Sequence, residues 1–331
     1  MFKEVKYSLS TLIGTRYMEN VAKANAFFGK MSYDEAMAIA NEEVVFYSAE
    51  AQAKNDALLD LVGTQVVEPM LPDDNDGAPT NAFRKAEDKS AAPLGGFGCF
   101  RLGEDGKLYL IGKSEHYHAS LGHAFAGYKL IDNARKLGIL NATHNNTRGY
   151  VTRLHERRIV EAANGILPGN DEATDAIIAS TEKGVLNRVI NLETGSLAVE
   201  AGVKMMLARF YQLSPELDAP KYKGRTPVFF IMADKADGIT GNYHGTTVIA
   251  QTLRGLWEDF RETADGAEMW KVVSVRPNDV EDFRAKLEKY NSGNYKTAGF
   301  MHEIIMMNYG ATKLEPEYLR AVYDLCHACD T

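Results

Sequence analysis

The sequence predicts an α/β protein: a mostly parallel sheet with flanking helices, preceded by a helical N-terminal extension. Three observations carry that expectation. Over residues 185–331, apolar runs of strand length alternate with stretches of helical period, the pattern of βαβ units on a parallel sheet. Over residues 99–111 the pattern is instead that of a hairpin with an Asp-Gly turn. Residues 1–70 read as helical and peripheral, with the stretch 34–61 rich in Ala, Glu and Leu. The implied organisation is 1–92 as a helical extension and linker, 93–150 as a small hairpin-and-helix segment, and 151–331 as a large α/β domain.

Composition bounds the function classes. The 331 residues are 45% hydrophobic and 25% charged, as in an ordinary globular protein. A formal net charge of −8, with no basic stripe to offset it, argues against binding nucleic acid or anionic membrane. Cys99, Cys326 and Cys329 are too few and too odd for a secreted disulfide framework. The N-terminus shows no apolar signal core, and no run approaches roughly 18 uninterrupted apolar residues. A cytoplasmic protein is the expectation.

In chain order, Ser32 stands three residues before Glu35, a capping box opening a helix, and the proline-free stretch 34–61 continues in helical composition. Residues 71–92, dense in Asp, Asn, Pro and Gly, read as a linker. After the hairpin, a helix over 128–137 closes at Gly138, and another over 152–165 also ends at a glycine. Residues 189–192 are predicted as a short strand that turns at Thr194-Gly195-Ser196 into a helix. On that helix Leu197, Ala201, Met205 and Ala208 form one apolar stripe, and Glu200 and Lys204 a favourable pair one turn apart. Beyond it come a buried strand over 228–232, a Gly-rich loop over 237–246 and a helix over about 247–262. A strand over 271–275, a helix over 280–290, a strand over 299–305 and a last helix over 315–329 complete the chain.

Several constellations carry chemistry. A strand that turns through small residues into a helix N-terminus offers unpaired N–H groups and the positive end of the helix dipole, which suit a phosphate; the same turn also serves as a plain cap. Tyr243-His244-Gly245 follows the 228–232 strand, where open α/β sheets bind ligands. An aromatic there stacks on a planar cofactor or simply packs. Glu303 lies in an apolar run and needs either a function or an ion-pair partner. Cys326-His327-Ala328-Cys329 is at most half a metal site, and His116-Tyr117-His118 reads as structural, so no metal is expected. Gly95-Gly96-Phe97-Gly98 is followed by a hairpin, not a helix, and is no dinucleotide fingerprint.

Taken together these segments resemble the class III aminotransferases, pyridoxal-phosphate enzymes of fold type I, from about Phe97 onward. Glu104-Asp105-Gly106-Lys107-Leu108-Tyr109 is similar to the family's D-G-x-x-Y start, and Leu121-Gly122-His123 to its L-G-H step. Thr194-Gly195-Ser196 with Ala198 and Glu200 resembles the S-G-T-E-A-x-E phosphate turn, and Tyr243-His244-Gly245 the Y-H-G segment. Glu303, then Asn308-Tyr309-Gly310 and Pro316-Glu317-Tyr318-Leu319, resembles the segment E-P followed by G and P-x-x-Y-L. The departures are Glu193 for the usual Asn, Leu197 for Glu, Ile304 for Pro, and some 90 residues ahead of the hairpin.

The resemblance implies amino transfer between an amine or amino acid and a 2-oxo acid, with pyridoxal 5'-phosphate as cofactor, in a homodimer. Gly195 and Ser196 would hold the phosphate with Thr194 assisting, Tyr243 would stack on the ring, and His244 and Glu303 would support it. By the resemblance, the family's pyridine-pairing Asp and Schiff-base Lys are expected to fall beyond the residues matched here. It is therefore expected to be the N-terminal part of such an enzyme, its large domain truncated, with a second chain as the candidate partner to supply the rest. By itself it is expected to show no transaminase turnover. The alternative is a non-catalytic binding or assembly subunit on the same fold.

Overall fold

The computed structural model describes residues 3–70, 77–88, 90–111, 119–140, 147–233, 238–239, 245–306 and 310–331. They form two units, Met1–Val189 and Ile190–Thr331. The division lies later than residue 150, where the sequence suggests one.

The first unit runs β1 (Val5–Tyr7), α1 (Leu9–Ile13), α2 (Thr15–Phe27), α3 (Tyr33–Asn41), β2 (Val44–Phe46), α4 (Ala49–Leu59) and α5 (Asn81–Ala86). It continues with β3 (Pro93–Phe97), β4 (Phe100–Gly103), β5 (Leu108–Leu110), α6 (Tyr128–Lys136), α7 (Tyr150–Ala163) and α8 (Asp171–Ala179). The capping box at α3 forms as predicted: Ser32 Oγ accepts from Glu35 N–H at 3.2 Å, and Glu35 Oε2 accepts from Ser32 N–H at 2.8 Å. The expected helix over 34–61 is interrupted, because Val44-Val45-Phe46 is β-branched and aromatic and pairs antiparallel with β1. The expected linker 71–92 contains α5, capped by Thr80. The hairpin forms between β4 and β5, with Phe100 opposite Leu110, and β3 adds a third antiparallel strand. Leu9, Met18, Ala22, Ala36, Ala40, Leu130 and Leu137 make the helical core. Buried Asn25 ties that core together by donating to Val21 O and Leu137 O, each at 2.9 Å.

The second unit runs α9 (Gly195–Leu207), β6 (Thr226–Met232), α10 (Val248–Leu253), α11 (Glu258–Gly266), β7 (Lys271–Val275) and α12 (Val280–Lys289). It ends with β8 (Tyr295–Met301), β9 (Ile305–Met306), β10 (Thr312–Lys313) and α13 (Pro316–Ala328). The sheet is parallel in the order β7–β6–β8, so the fold is α/β as predicted. Every residue of β6 is buried, the mark of a central parallel strand covered on both faces. Val228, Phe230 and Met232 pack with Phe283 and Leu287 of α12 and Tyr318, Val322 and Cys326 of α13. Phe229 and Ile231 pack on the other face with Val203, Leu253, Ala264 and Trp270. The alternation of a strand's side chains thus sorts the helices into two layers.

Three expectations are corrected here. Residues 189–192 form no strand: Ile190 is 62% exposed and the run has neither a ladder partner nor a face to bury. The helix over 247–262 is two helices, broken where Trp257 takes φ 56°. The strand over 299–305 begins at Tyr295 and stops at Met301, which leaves Glu303 beyond it rather than within it.

Candidate functional site

The predicted turn through Thr194-Gly195-Ser196 into a helix is present at the start of α9. Thr194 is extended, with φ −143° and ψ 156°, and its hydroxyl oxygen accepts from Leu197 N–H at 3.2 Å. Ala198 N–H bonds to Thr194 O at 3.0 Å, the first bond of the helix. Gly195 and Ser196 N–H therefore remain as first-turn donors with no partner among the described residues. The space where a Gly195 Cβ would stand is open for 4 Å.

The connection into α10 closes on this turn. Ser196 Oγ accepts from Thr246 N–H at 3.2 Å, and Glu200 Oε2 accepts from the Thr247 hydroxyl at 2.6 Å. Thr247 also N-caps α10, accepting from Ala250 N–H at 3.2 Å. Gly245 has φ 105°, and a Cβ built on it would stand 2.4 Å from Ser196 Oγ and 2.7 Å from Ser196 Cα. Only glycine lets the backbone come this close. Two segments that the sequence singles out, Thr194-Gly195-Ser196 and the end of Tyr243-His244-Gly245, thus meet. Tyr243 and His244 themselves lie outside the described residues.

Glu303 stands two residues past the end of β8, half-buried. Met301 pairs with Ile231 in the sheet, so Glu303 lies off the same carboxyl edge as the connection that leaves β6. Next to it, His302 stacks on Phe300 with centroids 4.7 Å apart, and its Nε2 lies 2.8 Å from Tyr323 Oη. Burial pushes the imidazole pKa below its ordinary value, so it is largely neutral at neutral pH, and burial raises that of the Tyr323 phenol. Sequence reasoning missed this pair. Its only signal was adjacency to Glu303, because Tyr323 arrives from a different element. Thr246 and Thr247 were also missed, although two hydroxyls before an apolar run are a helix-start signal.

Among the described residues of this unit, one lysine is buried, far from the turn and from Glu303 along the sheet. Lys296 is 3% exposed, and its Nζ donates to Asn291 Oδ1 at 2.8 Å, Cys329 O at 2.9 Å and Thr297 O at 3.1 Å. Burial lowers its pKa. It is the second residue of β8, so it lies near the amino edge, roughly 20 Å of strand from His302.

No group of three or more potential metal ligands occurs among the described residues. Burial in α13 pushes the Cys326 thiol up to about 12, which keeps it protonated and a poor ligand. His116 and His118 lie outside the described residues. Among the described residues no helix is long and apolar enough to cross a membrane. In the first unit Leu121 and Gly122 line a cavity of about 670 Å³ with Tyr47, Asn55, Asp56 and Cys99.

No family model matches the chain. Among solved structures it is similar to the adenosylmethionine-8-amino-7-oxononanoate aminotransferase of Methanocaldococcus jannaschii, at 19% identity and TM-score 0.48, covering 78% of this chain and 50% of that one. It is similar to a transaminase from the marine bacterium Virgibacillus at 15% identity and TM-score 0.49, covering 78% and 52%. It is also similar to an omega-transaminase from Sphaerobacter thermophilus at 17% identity and TM-score 0.42, covering 72% and 46%. The chain spans about half the length of these solved structures.

Proposed function

We propose that this chain carries the phosphate-holding side of a pyridoxal-phosphate-dependent aminotransferase of class III type and fold type I. The reaction would move an amino group between an amine or amino acid and a 2-oxo acid, in a homodimer. The observation that supports this reading most is the closure of Gly245 and Thr246 on Ser196 at the N-terminus of α9. It joins two of the segments that carry the family resemblance.

The donor set fits a phosphate. Gly195 and Ser196 present backbone N–H groups at the positive end of a 13-residue helix. Ser196 Oγ accepts from Thr246 and Thr194 Oγ1 accepts from Leu197, so each hydroxyl retains its proton for donation. Glu193 is exposed beside the turn, where solvent screens its charge. When bound, the cofactor supplies the electron sink for chemistry at the carbon bearing the amino group. The chain's own part is to fix the phosphate and so orient the ring. In this reading Tyr243 covers the ring, with His244 and Glu303 in support.

The test is a visible-absorbance titration of the purified chain with pyridoxal phosphate, followed by borohydride reduction and peptide mapping. Saturable binding lost in Ser196→Ala is expected. An adduct on one specific lysine would assign the amine partner to this chain. Absence of adduct with binding intact would fit a partner lysine supplied from elsewhere. No binding would overturn the proposal and favour the assembly-subunit alternative.

A further inference from the structure

We infer that Glu200 is a positioning residue for the phosphate cradle, acting through Thr247 and Thr246 on Ser196; this rests on the phosphate reading above. Ser196 and Glu200 stand four residues apart on α9, so they share one face a single turn apart. Each grips one of two consecutive residues of the connection into α10: Ser196 holds Thr246, and Glu200 holds Thr247. At 2.6 Å the second contact has the length of a hydroxyl-to-carboxylate hydrogen bond, a class roughly twice as strong as a neutral one.

The Thr247 hydroxyl is engaged at both ends. It donates to Glu200 and accepts from Ala250 N–H, which fixes its rotamer and pins the backbone beside Thr246. The consequence falls on Ser196. With one oxygen lone pair taken by Thr246, its hydroxyl proton stays available in front of the helix as a third donor beside the Gly195 and Ser196 N–H groups. With Thr246 released, that hydroxyl is free to bond its own backbone, as serines near helix starts do. A carboxylate one turn behind an anion site is electrostatically unfavourable, so its use there points to the acceptor it provides rather than its charge.

The experiment titrates pyridoxal phosphate and phosphate-free pyridoxal against wild type, Glu200→Ala, Glu200→Gln and Thr247→Ser. Melting temperature and deuterium uptake of the 245–250 peptide are measured alongside. Glu200→Ala is expected to lose about tenfold in affinity for pyridoxal phosphate, with pyridoxal unchanged and faster exchange in the peptide. Glu200→Gln keeps an acceptor without the charge and Thr247→Ser keeps the donor, so both stay within about threefold of wild type. Should Glu200→Ala not fold, Thr247→Val removes the same bond from the other side, and Thr247→Ser is its rescue.

Wild-type affinity in Glu200→Ala overturns the inference and leaves the proposed function standing. A parallel loss of both ligands means general loosening and overturns it equally. Failure of the wild type to bind pyridoxal phosphate is a different result: the phosphate reading falls, and this inference with it.

Discussion

Two glycines at the candidate site do opposite things. Gly245 is there because backbone meets backbone: any side chain would run into Ser196 within 2.8 Å, and its φ of 105° already strains an L-residue. Gly195 is unconstrained, with nothing within 4 Å of its missing Cβ. Gly245→Ala should lower the melting temperature, by an amount reflecting about 1–3 kcal/mol of strain, and weaken pyridoxal phosphate binding because Ser196 must move. Gly195→Ala should leave the melting temperature unchanged or slightly higher, since alanine favours helix, yet weaken binding if the open space is where the phosphate stands. Calorimetry with the absorbance titration reads both. The glycines and the Thr194 cap were legible in the sequence, because turn chemistry is local. The Glu200–Thr247 bond was not. It joins residues 47 positions apart, and no local pattern reports such proximity.

At the level of elements, signals that act within a few residues forecast the structure well. The capping box at Ser32 and the strands β6 and β7 appear where composition and caps place them. The Val44–Phe46 strand was hidden inside helical composition, because three residues have too little period to register and only pairing with β1 makes them a strand. The opposite error befell residues 189–192, apolar enough for a strand but with nothing to pair with. Helix α13 shows what burial adds beyond pattern. Its Cys326 packs with Val228 and Phe230 of β6 and is 6% exposed, and burial pushes its thiol up to about 12. Above about pH 9 an unfolded chain's thiol has lost its proton while the folded one keeps it, so the unfolded state binds fewer protons and stability falls as pH rises. Between pH 9 and 12 the wild type should therefore lose stability more steeply than Cys326→Ala, by up to about 1.4 kcal/mol per pH unit. Tyrosines remote from Cys326 titrate in the same window in both proteins and cancel in the difference, whereas Tyr318 and Tyr323 feel the Cys326 charge and titrate with it. Urea denaturation at successive pH values measures it, and parallel slopes would refute the assignment.

For the whole molecule, the candidate phosphate cradle belongs to one unit. Thr194, Gly195, Ser196, Glu200, Gly245, Thr246 and Thr247 all lie within Ile190–Thr331, as do both helix layers and the parallel sheet between them. Edge-to-face contacts run from Phe230 to Phe283 at 5.5 Å and from Phe283 to Phe300 at 5.0 Å, tying β6, α12 and β8 into one packed cluster. A unit with its own two-faced core should fold by itself. Residues 190–331, expressed alone, are expected to unfold in a single cooperative transition and, on the proposed function, to match the full chain in the pyridoxal phosphate titration. Cooperative unfolding without binding would mean that the cradle draws a necessary group from residues 1–189 or from a second subunit. A fragment that never folds would mean that the first unit stabilises the second. Circular dichroism and the absorbance titration on the fragment and on the full chain, side by side, separate these outcomes.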